Sequence, residues 1–300
     1  MNRRILLIDD DRMQFPLAQA YFRNFHSAAF SLEWAGTYEE GLQRLLTGDF
    51  AACLLDYQLG ERDGLELIRE AIAKGCRTPI IFLTAESSER VDILAMNAGA
   101  LDYLVKGEIT ARTMERSLRY ALKLAETLEA LRRLATRDQL TGLLNRREFD
   151  RILAEERERS QRFGHPTALV MIDIDHFKAV NDSLGHPVGD AVLREVARRL
   201  ADEVRTVDRV ARYGGEEFAV VVMEAELEVA LGTARRICAA VQRDPVLAGE
   251  TLPLNITVSA GVAVLPGDAQ SGEALVVAAD KALYAAKAAG RNRAVAFRDL

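Results

Sequence analysis

Two acidic stretches hold the side chains most able to do chemistry: Met171-Ile-Asp-Ile-Asp-His-Phe-Lys178 and Arg212-Tyr-Gly-Gly-Glu-Glu-Phe218. A glycine pair lets the backbone approach a ligand and supplies the dihedrals of a tight hairpin turn. Glu216 follows directly, so its carboxylate is expected at the rim of that turn. Asp173 closes an apolar run, the mark of a rigid strand end. Brought together with the Ile174 carbonyl, Asp173 and Glu216 make an oxygen-lined site for one or two Mg²⁺ ions. Paired ions in such sites lie roughly 3.5–4 Å apart, activate an attacking hydroxyl and stabilise leaving phosphate oxygens. Taken alone, Gly-Gly-Glu-Glu-Phe also fits an acidic hairpin without chemistry. The upstream cluster is what favours a nucleoside triphosphate site.

A second constellation lies near the N-terminus. Asp9, Asp10 and Asp56 each follow a short apolar run, and so do Thr84 and Lys106. Three crowded carboxylates are costly unless a cation neutralises them, and an all-oxygen set suits Mg²⁺. Asp56 could attack a phosphoryl donor while Lys106 offsets charge on the transferring group. Thr84 would bond to the resulting acyl phosphate.

The elements that must position these groups follow from the hydrophobic pattern. Apolar runs at 4–8, 51–55, 79–83 and 101–105 read as buried strands. Helical stretches near 13–25, 38–47, 63–73 and 88–98 separate them. Such alternation predicts a doubly wound parallel α/β sheet with its functional groups at the strands' C-terminal ends. From Thr110 to Arg137 there is neither proline nor glycine, and Ala121, Leu124, Leu128, Leu131 and Ala135 recur at alternating spacings of three and four. This is a short a/d stripe, suited to a helical linker that pairs with its twin, or otherwise to a solvated connector helix.

Beyond Asp138 the pattern changes. A helix is expected over 146–162, a core strand over 168–172 and an amphipathic helix over 190–203. Strands at 208–213 and 217–223 flank Gly214-Gly215 as a two-residue hairpin turn. Helices over 226–242 and 273–289 and strands over 254–264 and 293–297 complete an α+β domain with a partly antiparallel sheet.

Composition narrows the class. Three hundred residues exceed one typical domain. Cys53, Cys76 and Cys238 are too scattered for a disulfide framework or a thiolate zinc site, which suits a reducing, cytoplasmic setting. His165 and His186 form no histidine metal cluster, and His176 is a weak candidate for a general base. No apolar run approaches the roughly 20 residues of a membrane span, and the first residues do not read as a signal peptide. A net charge of −6 gives no support for DNA binding.

The first 120 residues resemble the receiver domain of bacterial response regulators. The pattern comprises the acidic pair Asp9 and Asp10, the phosphorylatable Asp56, the switch residues Thr84 and Tyr103, and Lys106. Gly60 and Gly107 stand where that family often has proline, which would loosen the nearby loops. The resemblance implies Mg²⁺ at Asp9, Asp10 and Asp56 and a histidine kinase partner.

The remainder resembles the GGDEF family of diguanylate cyclases. The motifs are Asp138-Gln-Leu-Thr-Gly-Leu-Leu-Asn-Arg-Arg147, Asp173-Ile-Asp-His-Phe-Lys-Ala-Val-Asn-Asp182, Gly185-His-Pro-Val-Gly-Asp190, the Gly-Gly-Glu-Glu-Phe turn and Ala279-Asp-Lys-Ala-Leu-Tyr-Ala-Ala-Lys287. Glu216 replaces the aspartate of the family name and keeps the carboxylate. The resemblance implies a palm-type, ferredoxin-like core that condenses two GTP into cyclic di-GMP and two pyrophosphates, using Mg²⁺ or Mn²⁺. By position, Asp173, the Ile174 carbonyl and Glu216 resemble the metal ligands, with Glu217 as a further carboxylate. Asn181 and Asp190 resemble the guanine readers, an amide and a carboxylate suited to that base edge. Lys178, Arg212, Lys287 and Arg291 resemble phosphate partners, and Gly214 and Gly215 line the substrate. Arg205 and Asp208, with Arg236 in support, resemble the site at which product restrains turnover.

The implied organisation is a receiver at 1–120, a helical linker at 110–137 continuous with the last receiver helix, and a cyclase domain at 138–300. It works as a homodimer in which two GTP sites face each other. Competing readings are a non-catalytic nucleotide receptor, a DNA-binding regulator and a cyclase of altered base choice. Retention of the turn glycines and carboxylates disfavours the first.

Overall fold

The computed structural model describes residues 3–25, 30–85, 89–247 and 253–300, and the chain divides into two compact units at Leu131/Arg132. In the first unit, β1 (Arg3–Ile8), α1 (Gln14–Arg23), β2 (Phe30–Ala35), α2 (Tyr38–Thr47) and β3 (Ala52–Asp56) follow in turn. A small hairpin, β4 (Gln58–Leu59) and β5 (Arg62–Asp63), precedes α3 (Gly64–Ala73), β6 (Ile80–Thr84), α4 (Glu89–Ala98) and β7 (Asp102–Val105). The long α5 (Ala111–Thr136) begins in this unit. The sheet runs β2-β1-β3-β6-β7 and every pairing is parallel.

Both faces of that sheet are covered, which explains the unbroken apolar strands. Leu6, Ile8, Cys53, Leu55 and Phe82 pack under α2, α3 and α4, while Ile5, Leu7, Leu54 and Ile81 pack under α1 and α5. Local chemistry sets the helix starts. Thr37 and Asp63 each accept a hydrogen bond from the backbone three residues on, the usual N-cap arrangement.

The second unit contains α6 (Arg146–Phe163), β8 (Thr167–Ile174), α7 (Phe177–Leu184), α8 (His186–Asp202), β9 (Arg209–Arg212) and β10 (Glu217–Val222). It ends with α9 (Leu227–Arg243), β11 (Val258–Leu265), α10 (Gly272–Ala288) and β12 (Ala294–Ala296). The sheet order is β12-β11-β8-β10-β9, antiparallel except for the β11–β12 pair. Helices α7, α8 and α9 cover one face through Val192, Val196 and Ile237 against Val170, Ile172 and Phe218. On the other face, Phe149 of α6 and Leu275 and Leu283 of α10 meet Leu169, Met171 and Ala219.

The expected fold class is borne out, with three local corrections. The helix expected over 190–203 is the later part of two helices, broken at Gly185, whose φ of 82° suits glycine alone. The turn between β9 and β10 is not a two-residue hairpin: Arg212 pairs with Phe218, and the Tyr213 N–H donates to the Glu217 carbonyl. Neither Gly214 nor Gly215 has a positive φ. Glycine at 214 leaves Glu217 its present place, since a Cβ there would lie 2.5 Å from Glu217 Oε2 and push that carboxylate aside. Finally, Ala121 of the expected linker stripe is buried in its own unit's core, whereas Leu124, Leu128 and Leu131 are exposed.

Candidate functional site

Asp173 stands at the penultimate position of β8, directly across from Glu217 on β10. Side chains alternate along a strand, so Asp173 shares a sheet face with Met171 and with helices α6 and α10. The Ile174 N–H donates to the Glu216 carbonyl at 3.3 Å, which ties the turn to the strand end. Lys287, in the last turn of α10, places Nζ 2.8 Å from Asp173 Oδ2.

Electrostatics follow from this crowding. Burial pushes the Asp173 carboxyl above its ordinary value, with Lys287 acting against the shift. Burial also raises the Glu216 carboxyl, and the charge of Asp173 raises it further. Two desolvated carboxylates that repel one another form a donor set of hard oxygens, and this fits a divalent cation such as Mg²⁺ or Mn²⁺.

Asp175, two residues past Asp173, received no role from the sequence. It is buried and fully engaged, accepting hydrogen bonds from Thr257 Oγ1 and Ser259 Oγ at 2.7 Å each and from the Asn292 N–H. It thereby fixes the tight bend at Arg291 and Asn292, both in the left-handed region. Arg291 lies close enough for its charge to act on Asp173.

Asn181 lies on α7 and Asp190 on α8, two helices that pack against each other. A Cβ at Gly189 would fall 2.0 Å from Asn181 Oδ1, so only glycine leaves that amide its place. Lys178 is exposed on the first turn of α7. Arg212, expected to face phosphate, instead holds the turn: Nη2 and Nε donate to the Gly215 carbonyl, and Nη1 meets the carboxylate of Asp138. Asp138 also accepts from the Thr141 backbone and hydroxyl.

Arg205 and Asp208 are paired, at 3.1 Å. Asp208 is buried and accepts from the Arg205 and Met223 backbone N–H groups as well, so its oxygens already serve the loop. The Arg205 guanidinium remains half-exposed and also reaches the Met223 carbonyl. Arg236 on α9 donates to the Glu203 carbonyl and to Thr233 Oγ1.

In the first unit Asp9, Asp10 and Asp56 bring ligand oxygens within 4.8 Å of one another. This is the one group of three or more such side chains among the described residues. Lys106 Nζ bridges Asp9 at 2.9 Å and Asp56 at 2.8 Å. Burial, with repulsion from Asp9, holds the Asp56 carboxyl up at about 6 despite Lys106. Thr84 is buried at the end of β6, and Tyr103 is partly exposed on β7. Gly60 does not slacken its loop: at φ 65° its N–H donates to Asp10 Oδ2, a bond proline could not make.

Residues 5–117 match the response regulator receiver domain family, and residues 135–293 match the family described as diguanylate cyclase, GGDEF domain. The response regulator PleD of Caulobacter vibrioides is 40% identical over 225 residues, covering 72% of this chain and 49% of PleD. Diguanylate cyclase DgcP of Pseudomonas aeruginosa is 44% identical over 167 residues, covering 55% of this chain and 24% of DgcP. The chain thus spans half or less of the length of these curated relatives. The solved GGDEF domain of DgcB from Caulobacter crescentus, in complex with c-di-GMP, superposes with a TM-score of 0.52 at 39% identity, covering 54% of this chain and 93% of that one. Its coiled-coil-containing form gives 0.56 at 37% identity, over 62% and 97%. Among the described residues no helix is long and apolar enough to cross a membrane.

Proposed function

Because the chain belongs to the GGDEF family of diguanylate cyclases and carries a receiver domain, we propose that it condenses two GTP into cyclic di-GMP and two pyrophosphates under the control of its own phosphorylation. The observation that carries this reading is the meeting of Asp173 and Glu216 at one strand end with Lys287 beside them. When bound there, a divalent cation would lower the pKa of a 3′-hydroxyl and offset charge on the attacked phosphate. Asp173, Glu216 and the Ile174 carbonyl would hold that cation. Glu217, on the same sheet face as Asp173, adds negative potential at its edge.

Asn181 and Asp190 would bind the guanine edge, with the amide and carboxylate selecting against adenine. Lys287, Arg291 and Lys178 supply cations for the triphosphate, while Arg212 and the two glycines shape the turn beneath it. One chain offers one such site, and cyclisation needs two facing substrates, because positioning contributes much of such a barrier. The exposed Leu124, Leu128 and Leu131 on α5 supply an apolar seam for a second copy.

Asp56 would accept a phosphoryl group from a histidine kinase, its carboxylate oxygen attacking phosphorus as the P–N bond breaks. Asp9, Asp10 and Asp56 would hold the Mg²⁺ that offsets charge on the transferring group, Lys106 bridges Asp9 and Asp56, and Thr84 and Tyr103 would read out the product. The half-exposed Arg205 guanidinium favours product feedback, stacking on and bonding to a guanine, with Asp208 anchoring its loop and Arg236 as a second cation.

The test is turnover of GTP by the intact chain with Mg²⁺, with and without beryllofluoride, following pyrophosphate and product by chromatography and mass by light scattering. Cyclic di-GMP formation that rises with beryllofluoride is expected. Linear products, or nucleotide binding without pyrophosphate, would leave a receptor rather than a cyclase.

A further inference from the structure

Two acidic sites in this chain each carry one lysine, but the balance differs. In the first unit Lys106 bridges Asp9 and Asp56, with the carboxylate of Asp10 beside them. At the β8 end Lys287 faces two, Asp173 and Glu216. Counting formal charges, the first set keeps two negative charges after its lysine; the second keeps one from Asp173 and Glu216, plus that of Glu217 on the same sheet face. Arg291 reduces the second further, since its charge also reaches Asp173. Asp175 adds little that a cation could use, being wrapped by two hydroxyls and a backbone N–H.

Lys287 also occupies the place that counts. Its Nζ sits 2.8 Å from Asp173 Oδ2, and Asp173 is buried enough that one bonded cation covers much of its accessible oxygen. Lys287 itself is about one-third exposed and sits in the last turn of α10. Its ammonium is held by that ion pair, on a long side chain with freely rotating bonds. A triphosphate arriving at this site presents oxygens that attract the ammonium more strongly than one shared carboxylate does.

We infer that Lys287 keeps the Asp173 site closed to free divalent cations and is drawn off by nucleotide phosphate, so that metal and GTP load together. The lysine is exchanged between two anions: the carboxylate in the free protein and the phosphate in the complex. Asp173 is released only when a substrate is present to share the cation. The inference rests on the cyclase reading above for the identity of the nucleotide; the exclusion of free metal stands on the ion pair alone.

The test counts bound Mn²⁺ by the spin-resonance signal of the free ion, in the full chain carrying Asp10→Asn to weaken the competing receiver site. The probe nucleotide is 3′-deoxy-GTP, which lacks the attacking hydroxyl. In this parent, Mn²⁺ at the Asp173 site should bind weakly alone and at one equivalent with the nucleotide. Adding Lys287→Met should tighten nucleotide-free Mn²⁺ binding about tenfold, because a charge at contact distance is removed. Lys287→Arg should retain the weak binding, and Lys287→Met with Asp173→Asn should lose the gain.

Lys287→Gln provides a second neutral variant should the methionine chain fold poorly. Nucleotide-free Mn²⁺ binding no tighter in the neutral variants than in the parent overturns the inference. A parent that fails to take up 3′-deoxy-GTP with Mn²⁺ is a different failure: it removes the cyclase reading, while the nucleotide-free comparison still decides whether Lys287 excludes the metal.

Discussion

Arg212 Nη1 lies 3.2 Å from both carboxylate oxygens of Asp138, and the same guanidinium grips the Gly215 carbonyl. The segment just after α5 is thereby bonded to the turn that carries Glu216. Asp138 is itself set by Thr141, so the pair is a braced contact rather than a loose surface bridge.

Asp138→Asn should therefore lower kcat by about tenfold or more while changing KM for GTP little, because the turn loses its alignment and not its ligands. Steady-state kinetics check this. The same variant should lose about 1–3 kcal/mol of stability, the range for unpairing a partly buried charge. Unchanged kcat would assign the pair to folding alone.

Gly189→Ala places a methyl group on Asn181 Oδ1. KM for GTP should rise about tenfold, equivalent to one lost hydrogen bond to the base. Thermal stability should change less than KM, the helix preference of alanine offsetting part of the crowding against Asn181 and the buried Phe177 ring. Substrate titration together with a melt separates the two effects.

Asp56 gives a pH-dependent stability. Its carboxyl is raised in the folded chain to about 6, chiefly by burial, so folding favours the protonated form. That contribution is complete below the ordinary aspartate range and is lost as pH rises through about 6. In EDTA, Asp56→Asn should thus be about 3 kcal/mol more stable than the unmodified chain at pH 8, with the gap closing below about pH 4. Trp34 is the sole tryptophan, and its indole donates to the Asp9 carbonyl at 2.8 Å, so its fluorescence reports unfolding of this unit.

The receiver chemistry was legible because each group ends an apolar strand run, and a parallel sheet delivers such ends to one edge. Asp173 was legible for the same reason. The first helix after it was not: Phe177–Leu184 is only eight residues long and ends at a left-handed glycine, too short for a clear period. The role of Arg212 was also hidden, because its partners Asp138 and Gly215 meet only once β9 pairs with β10. Asp175 differs from Asp173 through Thr257 and Ser259, more than eighty residues away in sequence. Spacing alone carries no trace of that.

Gly261→Ala should be the most damaging of these changes. On β11 the added carbon would meet the Ala279 carbonyl oxygen and the Leu283 nitrogen at 2.1 Å each, both backbone atoms of α10. Backbone cannot rotate away, so a loss of about 3 kcal/mol or more is expected in urea denaturation. Activity should fall with it, since α10 carries Lys287.

Arg205→Ala should relieve inhibition by cyclic di-GMP at least about tenfold, matching loss of a stacked, charged hydrogen-bond donor. Asp208 keeps its backbone N–H donors in the variant, so the loop should survive. Initial rates at rising product concentration decide it; unchanged sensitivity would remove Arg205 from any feedback site.

The wrapping of Asp175 by threonine and serine hydroxyls has a consequence for redesign. Those two hydroxyls act as insulation: they tie down Asp175, just past the end of β8, and leave Asp173 and Glu216 to face a cation. Stripping them, with valine at Thr257 and alanine at Ser259, would leave Asp175 with the Asn292 N–H alone and free its oxygens to compete for any cation held by Asp173 and Glu216.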